Sequence, residues 1–257
     1  MSIFDEIFGG SDSSSLENIS GVENINGTVI SGFNEYSDLS NANIENLLGE
    51  LIPPEHLAGC PSIECTPSHP IFMSDAGILG FYMEGSHEIH ISGHQNFETP
   101  ANMEYTVMHE VGHNAYANYE TENPQIIKEW ERISENSSEI YDKTGLGYVS
   151  DYAMTDAHED FSETYATYIS DPELLEFMSP EKYNFMKQYI FGGTEYISTP
   201  LENSEGYKIV EKNIDSQLQS AIEQFAQTPF EKALASVQTS DVGPSIDDVF
   251  RCFDCVT

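Results

Sequence analysis

The alternation of hydrophobic and polar positions divides the chain into three parts. Residues 1–38 are rich in Ser, Asn, Gly and Glu, with one short amphipathic start and a strand pattern at Thr28-Val29-Ile30, which predicts a polar, acidic leader arm. Residues 39–195 carry the regular patterns. Ile44, Leu47, Leu48 and Leu51 recur at helical spacing until Pro53-Pro54 stops them, and Ile63 to Thr66 fits a short strand. Ile78 to Tyr82 and Glu88 to Ser92 alternate as two strands joined through Glu84-Gly85-Ser86, a predicted hairpin. Thr99-Pro100 then opens a helix through Tyr119, with proline where a first helical turn accepts it. A second helix follows Asn123-Pro124 and runs from Gln125 to Ser137, with Trp130 expected in its core face. A third covers Asp156 to Ser170, and a fourth runs from Pro180 to Phe191 until Gly192-Gly193 ends it. The pattern predicts an α+β fold, mostly helical with a small mixed sheet.

Residues 196–257 differ in character. Val210, Ile214, Leu218, Ala221, Ile222 and Phe225 form one apolar stripe on a predicted helix, followed by an extended tail from Gln238. Such a stripe needs a surface to pack on, either the chain's own domain or an assembly partner.

Composition supports one folded domain with extensions: 257 residues, 39% hydrophobic and 11% aromatic. Charge changes the picture more. Forty-four Asp and Glu against 9 Lys and Arg give a formal net charge of −35, a surface that repels itself in dilute buffer. At about 1 M salt the screening length falls to roughly 3 Å, so the composition predicts a high-salt setting such as the cytoplasm of a halophile. Phosphate binding needs clustered cations that are missing here, which argues against nucleic acid as a partner. No apolar run approaches membrane-spanning length, and the opening residues have neither a basic region nor a continuous apolar one. The expectation is a soluble chain without a conventional signal peptide. The cysteines form two close pairs, Cys60 with Cys65 and Cys252 with Cys255, which leaves a second metal site, disulfides or free thiols as alternatives.

The candidate chemistry lies in Met108-His109-Glu110-Val111-Gly112-His113, a His-Glu-x-x-His motif inside the first long helix. Positions four apart share a helical face, so both imidazoles can reach one ion, and Glu110, about 100° around, can reach a water held there. Two neutral imidazoles suit Zn2+, and a catalytic site needs a third protein ligand. The metzincin pattern would place glycine and histidine at positions now held by Tyr116 and Tyr119, which excludes that class. A second candidate run, Tyr152 to Tyr165, puts Glu159 and Glu163 on one face. That face would ordinarily be solvated surface, with Phe161, Tyr165 and Tyr168 pointing the other way. Ala166 and Ser170 beside the carboxylates and Gly112 beside the histidines would let two helices approach closely, which favours Glu159 as the third ligand.

These residues resemble the gluzincin metallopeptidases, among them the catalytic domain of anthrax lethal factor and the Pro-Pro endopeptidases. The likeness rests on His-Glu-Val-Gly-His at 109–113, on Tyr152, and on Glu159-Asp160-Phe161-Ser162-Glu163 after an intervening helix, and it spans about residues 75 to 170. It implies a zincin-like domain whose sheet edge lies over the zinc helix. It further implies Glu159 as third ligand, Tyr152 as donor to an oxyanion, Glu163 as an acceptor orienting a ligand histidine, and a peptide or protein substrate. A weaker similarity, carried by Ile52 to Leu57 and Ser2-Ile3-Phe4, is to metallopeptidase-like domains of tailed-virus structural proteins. From it comes a rival expectation: a virion or other interaction protein with a structural zinc, docking through its arm and C-terminal helix.

The remaining histidines read as structural. In Ser86 to His94, Ile89 and Ile91 should face inward while Glu88, His90 and Ser92 face out, a half-exposed strand that could serve as the edge pairing with an extended substrate. His56, His69 and His158 are expected at the surface, and Tyr152 could instead be a loop aromatic packed under the following helix.

Overall fold

The computed structural model describes residues 22–196, and the predicted helix after Leu201 and Cys252 and Cys255 lie outside them. The architecture is α+β, with eight helices and five strands among the described residues. In chain order these are β1 (Glu23–Ile25), β2 (Thr28–Ser31), α1 (Phe33–Tyr36), α2 (Asn41–Leu51), β3 (Ser62–Cys65) and α3 (Pro70–Ser74). β4 (Gly80–Tyr82), β5 (Ile89–Ile91), α4 (Pro100–Glu122), α5 (Pro124–Thr144), α6 (Ala157–Ser170), α7 (Pro172–Met178) and α8 (Pro180–Phe185) follow. Short 3-10 turns lie at Pro54–Leu57, His94–Asn96 and Tyr152–Met154, and α8 continues as a wider π-type turn over Met186–Ile190.

Helix starts are set by local chemistry. The Ser40 hydroxyl accepts from the Asn43 amide and the Asn43 side chain accepts in return from the Ser40 amide, a reciprocal cap for α2. Thr99, Asp171 and Ser179 cap α4, α7 and α8, each just before a proline, and Pro124 opens α5 after Asn123. Two helices depart from expectation: α5 runs on to Thr144, where Gly145 takes a positive φ of 73°, and α7 fills a stretch with no predicted element.

The sheet is mixed, in the order β1-β2-β3-β5-β4. β2, β3 and β5 run parallel, while β1 and β4 pair antiparallel at the two ends. Two expectations are corrected here. The described part of the expected arm, 22–38, supplies β1, β2 and α1, with Ile30 and Phe33 in the core. The strand holding His90 is internal, so among the described residues the free edge near the motif is β4. Ser92, expected to face out, is buried, while Ile89 and Ile91 face the core as expected.

The core joins Ile30, Ile63, Ile89 and Ile91 from the sheet to Val107, Met108 and Val111 of α4 and to Phe161, Tyr165 and Tyr168 of α6, with Trp130 of α5 fully buried among them. His56 is corrected too. It is 1% exposed, ringed by Tyr119, Tyr165 and Phe191, and the Tyr165 hydroxyl lies 2.8 Å from its Nδ1 while Nε2 lies 3.1 Å from the Ile190 carbonyl. Among the described residues no helix is long and apolar enough to cross a membrane.

Candidate metal centre

α4 and α6 carry the centre, and one small residue sets their spacing. A Cβ on Gly112 would stand 3.0 Å from Ser162 Cα and 3.3 Å from Tyr165 Cβ, so any larger residue would have to push the two helices apart by a few tenths of an ångström. The expected small-residue contact is thus found at Gly112, but it meets Ser162 and Tyr165 rather than Ala166 and Ser170. Asp156 fixes the start of α6 by accepting from the amides of His158 and Glu159 at 2.9 and 3.0 Å, which turns the Glu159 side chain toward α4.

Three donor atoms converge. His109 Nε2 and His113 Nε2 are 3.1 Å apart, and Glu159 Oε2 lies 3.2 Å from the first and 3.3 Å from the second. Glu159 Oε2 is buried and has no hydrogen-bond partner, although its neighbours are two ring nitrogens. Buried polar atoms are nearly always satisfied, so an unsatisfied oxygen facing two lone-pair donors fits a cation between them. Among the described residues this trio is the one group of His, Cys, Asp and Glu placed to hold a metal ion.

The surrounding residues orient these donors. Glu163 Oε1 stands 2.9 Å from His109 Nδ1, close but poorly aligned, and its Oε2 accepts from Ser150 Oγ at 2.6 Å and from the Tyr105 hydroxyl at 3.3 Å. Burial opposes charge on His109, yet the close carboxylates of Glu159 and Glu163 and the charge of Glu110 outweigh it and, with no cation bound, raise its pKa to about 10. Burial alone would raise Glu159 and Glu163, but His109 and its neighbours hold both carboxyls below the usual range. Glu110 is pushed the other way: burial raises it, and the two histidines only partly offset that.

Tyr152 is 54% exposed and donates its hydroxyl to Glu159 Oε1 at 3.0 Å, so it faces the centre rather than packing beneath α6. A cleft of about 420 Å³ opens over the centre, bounded by Tyr152 and His158 on one side and by β4 on the other. β4 comes very close: a Cβ on Gly80 would be 2.7 Å from Glu110 Oε1. His158 is exposed as expected, with its ring 4.2 Å from that of Tyr116, and His69 is half-buried against Phe81 and His90.

All six residues singled out by the motifs, His109, Glu110, His113, Tyr152, Glu159 and Glu163, therefore meet in one place. Cys60 and Cys65 do not. They are separate buried thiols, donating to the carbonyls of Ser62 and Ser92, and burial pushes each up to about 12. Sequence reading overlooked Tyr105, Ser150 and Gly80. Tyr105 had a signal, since 105, 109 and 113 fall on one helical face; Ser150 and Gly80 reach the site only through tertiary packing. Compared with family models, curated proteins and solved structures, the chain matches none of them.

Proposed function

We propose that this chain is a zinc-dependent endopeptidase of gluzincin type with a zincin-like fold, suited to high salt. The observation that carries the reading is the triangle of His109 Nε2, His113 Nε2 and Glu159 Oε2, with sides of 3.1 to 3.3 Å. Three ligands of a tetrahedral zinc at about 2.0–2.1 Å lie roughly 3.3 Å apart, so the donors fit that ion, and two imidazoles with one carboxylate are a donor set it takes. Bound there, zinc would polarise a carbonyl and make a water acidic enough to ionise near neutral pH.

The protein's own groups supply the rest. Glu110 is a buried carboxylate with a raised pKa, suited to take a proton from the attacking water and return it to the leaving amine. Tyr152, whose hydroxyl is 3.0 Å from Glu159, can turn to donate to the oxyanion that forms at the scissile carbonyl. Glu163 holds His109 in place from behind. The free edge of β4 supports a peptide substrate, since an extended backbone can add to it as a further strand beside Glu110.

The test pairs metal content with turnover in high salt. Glu110→Gln should keep one zinc per chain and lose peptidase activity by about 100-fold or more, whereas Glu159→Ala should lose the metal. Zinc retained with no turnover in the unaltered chain would favour a structural role for the ion instead.

A further inference from the structure

We propose that Tyr82, His87 and Asn114 form a latch that fixes the sheet's free edge against the metal-carrying helix and so positions an extended peptide along β4. The proposal rests on the peptidase reading above.

The ladder shows which backbone groups are available. The Met83 amide donates to the Glu88 carbonyl at 2.9 Å and the Ser92 amide to the Leu79 carbonyl at 2.9 Å. In an antiparallel pair the inward and outward groups alternate, so Phe81 bonds to β5 while the amides and carbonyls of Gly80 and Tyr82 point away from the sheet, along the cleft. A peptide added there would be read by those two residues. The position of Tyr82 relative to the zinc ligands therefore decides where a bound peptide lies.

The Tyr82 side chain is tied to the opposite wall. Its ring lies parallel to that of His113, 12° between planes and 6.3 Å between centroids, and its oxygen is 2.6 Å from His87 Nδ1. The same nitrogen is 3.2 Å from Asn114 Oδ1. Asn114 is fully buried and its orientation is fixed, because Nδ2 donates to the carbonyls of His56 and Ala58 at 2.8 and 3.1 Å. Its Oδ1 must then face His87, and a hydrogen on Nδ1 satisfies it; without one, two lone pairs would oppose each other. His87 thus bridges an edge-strand tyrosine and the residue next to a zinc ligand.

The backbone supports a dedicated role. His87 sits at a φ of 60°, the left-handed region that a non-glycine residue occupies at a cost, and its amide donates to the Met83 carbonyl at 2.7 Å.

The test uses the zinc-loaded full chain with two probes: acetohydroxamic acid, a chelating group alone, and N-acetyl-trialanine hydroxamate, the same group with an extended backbone. The unaltered protein should bind the peptide probe at least about tenfold more tightly. His87→Gly should lose most of that advantage, leaving zinc content and acetohydroxamate affinity unchanged. Tyr82→Phe, which keeps the ring on His113, should shift it in the same direction and decides the matter if the first variant does not fold. An advantage preserved in the folded variants, an equal loss of both probes, or no peptide advantage in the unaltered protein overturns the latch. Failure of the unaltered protein to bind zinc or either hydroxamate is a different result: it overturns the peptidase reading, and the latch falls with it.

Discussion

At Glu163 two demands meet in one carboxylate: Oε1 sits against His109 Nδ1 while Oε2 accepts from Ser150 and Tyr105. With Oε2 held by two hydroxyls, Oε1 stays beside His109 Nδ1, where it helps keep Nε2 aimed at Glu159 and His113. Removing such a support typically costs 10- to 100-fold in metal affinity. Glu163→Ala should therefore weaken zinc binding by about that factor, with Glu163→Gln, which keeps an acceptor oxygen, weaker by less. Competition against a chromophoric chelator measures both, and an alanine variant with unaltered affinity would remove Glu163 from the site. His109, Glu110 and His113 were legible because their spacing is local helical geometry, while Tyr152, Glu159 and Glu163 were expected mainly through the resemblance. Ser150 and Gly80 were not, because nothing in their neighbourhood along the chain marks them.

Among elements, α6 matters most, since it carries Glu159 and is pinned on its other side. Asp160 accepts from Lys182 Nζ of α8 at 2.6 Å and from Ser134 Oγ of α5 at 2.7 Å, and Lys182, 0% exposed, also donates to the Gly147 carbonyl. A rotation of α6 would break a fully buried ion pair, so the direction of Glu159 is secured from behind. His56 ties the same helix to the turn after α8 through Tyr165 and the Ile190 carbonyl, and there pH enters. Burial lowers the His56 pKa from 6.5 to about 4, against smaller opposing effects from Glu55 and the Ile190 hydrogen bond. Below about pH 6.5 the unfolded chain takes up a proton that the folded chain refuses until about pH 4, so stability falls with pH through that window. Between pH 7 and 5 the loss from this group should be about 2 kcal/mol. Denaturant unfolding of the native chain and of His56→Gln should show the native chain losing more over that interval; parallel curves would mean the imidazole does not stay neutral. Helix starts were readable wherever a capping residue precedes a proline. The same signal at Asp171-Pro172 marks α7, and Asn26-Gly27, both at positive φ, marks the hairpin of β1 and β2.

Over the whole molecule the charge is unevenly placed. No Lys or Arg occurs before residue 128, while that stretch carries acidic residues throughout. Of the cations among the described residues, Lys182 is consumed in the buried pair, and Arg132, Lys143 and Lys187 pair with Glu129 and Glu181, Glu139 and Glu195. The sheet and α4 therefore have no Lys or Arg of their own to offset repulsion. Raising salt from about 0.05 M to 2 M shortens the screening length several-fold, so the melting temperature should rise steeply and then level off. A melting temperature that stays flat or falls over that range would contradict the high-salt reading. By itself the sequence determined the starts of α2, α4, α5, α6 and α8, the inward facing of Ile89 and Ile91 and the pairing of His109 with His113, because each depends on contacts within a turn or two of chain. Tertiary structure alone decided that β4 rather than β5 is the free edge, that His56 and Ser92 are buried, and that Glu159 closes the triangle. Each of those depends on which distant segments pack together, and neither propensity nor periodicity encodes that over a hundred residues.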